Sequence, residues 1–122
     1  MKAKLLALAL VLNATAASAG ERIPLQRGEC VQTKIEQVTT RLDKTPGSGT
    51  ALIFTNGLYQ VSYEQLPQVD CSRPGDPVTL CLISIPSSCP PGDDRGRVYH
   101  AINHRTHAVW ELPDSEHMCG GA

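Results

Sequence analysis

The sequence predicts an all-β protein, a small antiparallel barrel or sandwich of about six or seven strands, stapled by disulfides. Three observations predict it. Apolar and β-branched residues come in short runs separated by Gly, Pro and Asn, and no run sustains a helical period. Ten glycines and nine prolines punctuate the chain along its length. Five cysteines in 122 residues, with no Cys-x-x-Cys among them, favour disulfides over a dithiol redox motif, haem attachment or a zinc ribbon.

Met1-Lys-Ala-Lys, the apolar residues 5–12 and the small-residue motif Ala17-Ser-Ala19 read as a signal peptide over residues 1–19, leaving residues 20–122 as a single β-rich domain. The apolar run falls short of the about 20 residues that a spanning helix needs, so no membrane insertion of the mature chain is expected. The first cysteine, Cys30, lies too far from the cleavage motif for a lipid anchor. A periplasmic or secreted protein is expected. Removal of residues 1–19 takes away Lys2 and Lys4 and no acid, which moves the formal charge from −1 to −3. That balance offers no basic footprint for nucleic acid.

In chain order, residues 20–28 form an entry arm around Pro24. Val31, Thr33 and Ile35 alternate, and then Val38, Thr40 and Leu42 alternate in the opposite phase, which predicts a strand with a bulge near Glu36-Gln37. The β-branched Val38-Thr-Thr argues against a helix there. Residues 43–50 read as a linker. Their Gly47-Ser-Gly lacks the flanks of a nucleophile elbow or a phosphate loop.

Asn56-Gly57 predicts a hairpin with a two-residue type I′ turn. That register sets Phe54 opposite Tyr59 and Leu52 opposite Val61, with Tyr63 on the same core-facing side. It sends Ile53, Thr55, Gln60 and Ser62 to the other face. Residues 67–77, with Pro74-Gly-Asp-Pro77, form an ordered surface loop. Residues 78–85 lack clean alternation and predict a central strand covered on both faces, ended by Pro86. A second hairpin turns around Asn103-His-Arg-Thr, with Ile102 facing His107, Ala101 facing Ala108 and Tyr99 facing Trp110. Every aromatic residue lies between Phe54 and Trp110, so the core is expected there.

The cysteine count implies two disulfides and one odd thiol. The candidates are Cys71, Cys81, Cys89 and Cys119, with Cys81 and Cys89 both bridged and their partners left open.

Three constellations could carry function. The segment Cys89-Pro-Pro-Gly-Asp-Asp-Arg-Gly-Arg, inside a rigid loop over residues 86–96, reads as a partner-binding loop that offers Pro90, Pro91, Asp93, Asp94 and Arg95 to an exported protein. The plainer alternative is a stiff crossover in which Asp93 and Asp94 pair locally with Arg95 and Arg97. Calcium would need further oxygens at EF-hand-like spacing. The second constellation is His100, His104 and His107, which could hold zinc or copper if the hairpin gathers them and could equally be solvent-facing positions. The terminal His117-Met-Cys lacks the spacing of a blue-copper loop. The third is a Ser87, His100 and Asp93 set, which nothing in the sequence places together, so no enzyme and no cofactor are expected. The oligomeric state is left open.

The C-terminal half, with Cys81-Leu-Ile-Ser-Ile-Pro, Cys89-Pro-Pro-Gly-Asp-Asp-Arg-Gly-Arg-Val-Tyr, Trp110 and Leu112-Pro-Asp-Ser-Glu-His-Met-Cys-Gly-Gly-Ala, resembles a group of small uncharacterised exported bacterial proteins over roughly residues 70–122. That group brings no activity to carry over. In size, export signal and β content the chain is also similar to periplasmic lysozyme inhibitors of the small-barrel type. No inhibitory motif of theirs matches residue by residue, so this likeness implies architecture alone. The expectation is a non-enzymatic, inhibitor-like interaction module of the cell envelope, with a periplasmic zinc- or copper-binding protein as the alternative.

Overall fold

A computed structural model describes residues 21–121, and the expected signal peptide lies outside them. The six strands are β1 (Cys30–Thr39), β2 (Thr50–Phe54), β3 (Tyr59–Ser62), β4 (Pro77–Ser84), β5 (Val98–Asn103) and β6 (Val109–Pro113). A single helical turn, α1 (Pro67–Asp70), sits between β3 and β4. All pairings are antiparallel in the order β3-β2-β1-β4-β5-β6, and the sheet curls into a half-barrel.

The long strand β1 makes the curl possible. Its first half pairs with β4, from Cys30↔Cys81 to Lys34↔Pro77, and its second half pairs with β2, from Ile35↔Phe54 to Thr39↔Ala51. The register slips between Ile35 and Gln37, where the phase reversal in the sequence predicts it. An extra residue bends a strand and increases its twist, so Glu36 steers one sheet half away from the other. Val31 and Ile35 of β1 join Leu52, Phe54, Val78, Leu80, Leu82, Tyr99, Ala101, Trp110 and Leu112 in the core.

The first hairpin departs from expectation. Leu52 pairs with Gln60 and Ile53 with Tyr59, one residue away from the type I′ register. The Gly57 amide donates to the Phe54 carbonyl (2.9 Å) and Gly57 adopts φ 90°, so the loop has three residues, Thr55-Asn-Gly, with glycine in the left-handed position. The Asn56 side chain accepts the Leu58 amide (3.0 Å) and donates to the Arg22 carbonyl (3.0 Å), which ties the turn to the entry arm. Because side chains alternate with period two, the slip sends Gln60 into the core and puts Tyr59 on the outer face. Tyr63, beyond the strand, is 58% exposed rather than buried.

The second hairpin slips by two residues and keeps its faces. Tyr99 pairs with Leu112 and Ala101 with Trp110, and a four-residue loop closes with the His107 amide donating to the Asn103 carbonyl (2.8 Å). Strand β4 alternates after all. Val78, Leu80 and Leu82 are buried, while Thr79, Cys81 and Ile83 face outward, so this strand is covered on one face and not both. The sequence hid the alternation because Cys81 on the outer face is a disulfide partner and Ile83 beside it is exposed.

Gln60 closes the open side of the half-barrel. Fully buried, its amide nitrogen donates to the carbonyls of Tyr99 (2.9 Å) and Leu112 (3.2 Å), and its oxygen accepts the Trp110 indole N–H (2.9 Å). One side chain thereby links the edge strand β3 to the β5–β6 hairpin.

A second polar node pins the loop before β4. Buried Asp76 accepts from the Arg73 amide (2.8 Å), the Asn103 side chain (2.9 Å) and the Arg105 guanidinium (3.0 Å), and these bonds, the Arg105 ones foremost, lower its pKa to about 2.

Two disulfides form, Cys30–Cys81 and Cys89–Cys119. Cys71 is exposed and unbridged, so Cys30 takes the place that Cys71 was expected to fill. The reason is topological. β1 brings Cys30 directly opposite Cys81, whereas Cys71 follows α1 on the surface, where its carbonyl accepts from Arg105 (2.6 Å). Two disulfides fit an oxidising compartment. No helix among the described residues is long and apolar enough to cross a membrane.

Candidate functional site

Past β4 the chain leaves the sheet at Pro86 and returns at Val98, and residues 86–96 stand between as an exposed loop. The Asp93 amide donates to the Pro90 carbonyl (3.0 Å), and Gly92 takes φ 81°. With Pro91 in the second position and a left-handed glycine in the third, Pro90-Pro-Gly-Asp is a type II turn, for which proline pre-sets the backbone angle.

The C-terminal tail forms the base of the loop. Cys89 bonds covalently to Cys119, the Cys119 amide donates to the Arg95 carbonyl (2.9 Å), and the Gly120 amide donates to the Asp93 carboxylate (2.9 Å). Arg95 grips the same carboxylate through Nε and Nη2, both at 2.9 Å, and its Nη2 also reaches the Gly121 carbonyl (3.3 Å). Paired first with Arg95 and then with the Gly120 amide, Asp93 is held well below the usual carboxylate range.

Gly96 packs so tightly on the tail that a Cβ would lie 2.7 Å from the Met118 sulfur. Its amide donates to Asp114 (2.8 Å), whose carboxyl burial pushes up.

Of the five loop residues singled out from sequence, the structure divides the roles. Asp93 and Arg95 are turned on each other and on the tail, so they build the loop. Pro90, Pro91 and Asp94 are exposed, although the Gly120 backbone lies close behind the Pro90 ring. Sequence reasoning missed Gly120 and Asp114 as anchors. The available signal was Cys119 itself, since a bridge to Cys89 brings its neighbours to the loop.

The histidines do not converge. His100 Nδ1 lies 3.2 Å from Glu111, His104 Nε2 lies 2.6 Å from the Thr79 hydroxyl, and His107 occupies the turn with φ 63°. Among the described residues no group of three or more His, Cys, Asp or Glu is placed to hold a metal ion. Of the Ser87, His100 and Asp93 set, Asp93 is engaged by Arg95 and His100 by Glu111.

The class defined by this fold and site is a disulfide-stapled antiparallel half-barrel with one clamped, projecting loop. No protein-family model, curated protein or solved structure matches the chain.

Proposed function

We propose that the protein is a non-enzymatic exported module of the cell envelope that presents residues 86–96 to a protein partner, in the manner of an inhibitor. The observation that supports this reading best is the convergence of a disulfide, a type II turn and a carboxylate clamp on one exposed loop. A loop ordered before contact loses less conformational entropy when it binds, so its affinity is not spent on ordering. Asp94 and Pro91 at the surface are the contact candidates, with Pro90 beside them.

Photo-crosslinking in the native envelope tests the reading. Benzoylphenylalanine in place of Asp94 is expected to capture a discrete protein, and the same probe in place of Gln32, exposed on β1, is not. Alanine at Pro90, Pro91 and Asp94 together should then cost about 2 kcal/mol or more of affinity for the captured partner without changing the fold. Unchanged affinity would remove the loop from consideration.

A further inference from the structure

Two open clefts are lined by residues outside the clamped loop. One, about 280 Å³, opens where β3 approaches β6 and is lined by Val61, Ser62, Tyr63, Glu64 and Glu116 among others. The second, about 210 Å³, is lined by Thr39, Arg41, Asp43, Ile53 and Tyr59 among others. They adjoin, because Ala51 of the second pairs with Val61 of the first.

Arg41 joins them. Its guanidinium carbon lies 4.4 Å from the centroid of the Tyr63 ring, its Nη1 lies 3.6 Å from Glu116, and its Nε donates to the Ser48 carbonyl (2.7 Å). Tyr63 is therefore held in orientation although it is 58% exposed and contributes nothing to the core. Tyr59 lines the second cleft half-buried, with its phenol pushed up by burial first and by Glu116 second.

We propose that this groove binds an oligosaccharide, with one pyranose ring stacked on Tyr63 and the next reaching towards Tyr59. A pyranose presents C–H groups on its faces and hydroxyls around its rim. An oriented aromatic ring bordered by carboxylates, hydroxyls and one guanidinium complements both parts. Other ligands fit less well. The clefts are too open for a wholly apolar molecule, and Asp43, Glu64 and Glu116 outnumber Arg41, which disfavours phosphates and other anions.

The test is an amide NMR titration of the folded chain with chitotriose in its N-acetylated and free-amine forms, cellotriose, and an arginine-rich hexapeptide. At least one trisaccharide should shift Ser62, Tyr63, Glu64 and Glu116 at millimolar concentration, with Tyr63→Ala weakening it about tenfold and Tyr63→Phe retaining it. The two chitotriose forms distinguish an acetylated from a cationic sugar. Shifts with the peptide alone, no shift with any sugar, or binding that Tyr63→Ala leaves intact would each overturn the proposal. Unchanged thermal unfolding of Tyr63→Ala confirms that the ring, and not the fold, was removed.

Discussion

The two disulfides sit in contrasting surroundings. Cys30–Cys81 joins directly paired residues of β1 and β4 on the outer face of the sheet, while Cys89–Cys119 joins a loop to a tail, with no strand at either end. Their sequence separations, 51 and 30, are close enough on a logarithmic scale that each removes a similar amount of entropy from the unfolded chain, worth about 4 kcal/mol. The difference lies in the folded state. The first staple reinforces strands that already share a ladder and a core, and the second ties a segment outside the sheet to the tail that its carboxylate clamp also grips.

The largest expected effects follow directly. Cys30→Ala with Cys81→Ala, and Cys89→Ala with Cys119→Ala, should each lower the stability measured by denaturant midpoint by up to about 4 kcal/mol. Only the second pair should raise amide exchange within residues 86–96. If both pairs loosen the loop equally, the contrast fails and the loop takes its order from the whole sheet.

Next in size is Gln60→Leu, which tests how far the framework depends on its seam. Leucine is close in volume but leaves the Trp110 N–H unpaired in the interior and removes the second hydrogen bond that the Tyr99 and Leu112 carbonyls accept beyond their own ladder. A loss of about 3 kcal/mol is expected, read from urea unfolding, with exchange in the clamped loop unchanged.

Gln60 also shows where the sequence stops being legible. The bulge in β1 was readable because it reverses the phase of the apolar pattern within a single strand. The β5–β6 faces were readable despite a misplaced register, because a slip of two residues returns every side chain to its own side. The β2–β3 faces were not, because Thr55-Asn-Gly closes with three loop residues where Asn-Gly suggested two, and a slip of one inverts the strand. Nothing local distinguishes a glutamine that bridges strands from one that meets water. The prolines made the loop legible as a turn, but its clamp was not legible, since Asp93 meets Gly120 at a sequence separation of 27. The cysteine pairing stayed open for the same reason, and Cys30 matched Cys81 only once β1 was laid beside β4.

The smallest effects compare two carboxylates, one in each region. Asp76 is buried in the framework and titrates at about 2 folded against 3.8 unfolded, so its charge contributes about 2 kcal/mol. The depressed value fixes the sign: this stability is fully present above the unfolded pKa and is lost as pH falls through about 2. Asp76→Asn should therefore be less stable than the parent at neutral pH, and the gap should close between pH 4 and pH 2 in denaturant unfolding. Asp93 is also depressed, through Arg95, but it lies at the surface of the loop, so its protonation should leave the unfolding midpoint in place and act locally. In an acid titration followed by NMR, the Gly120 amide should keep its carboxylate-bonded shift below the ordinary carboxylate range and then move together with the Arg95 side-chain signals, while the amides of β4 and β5 stay still. A Gly120 midpoint at the ordinary value would mean that the disulfide alone holds the loop. Movement of β4 with Gly120 would mean that loop and framework melt as one unit, which the separate anchors at Asp76 and Asp93 argue against.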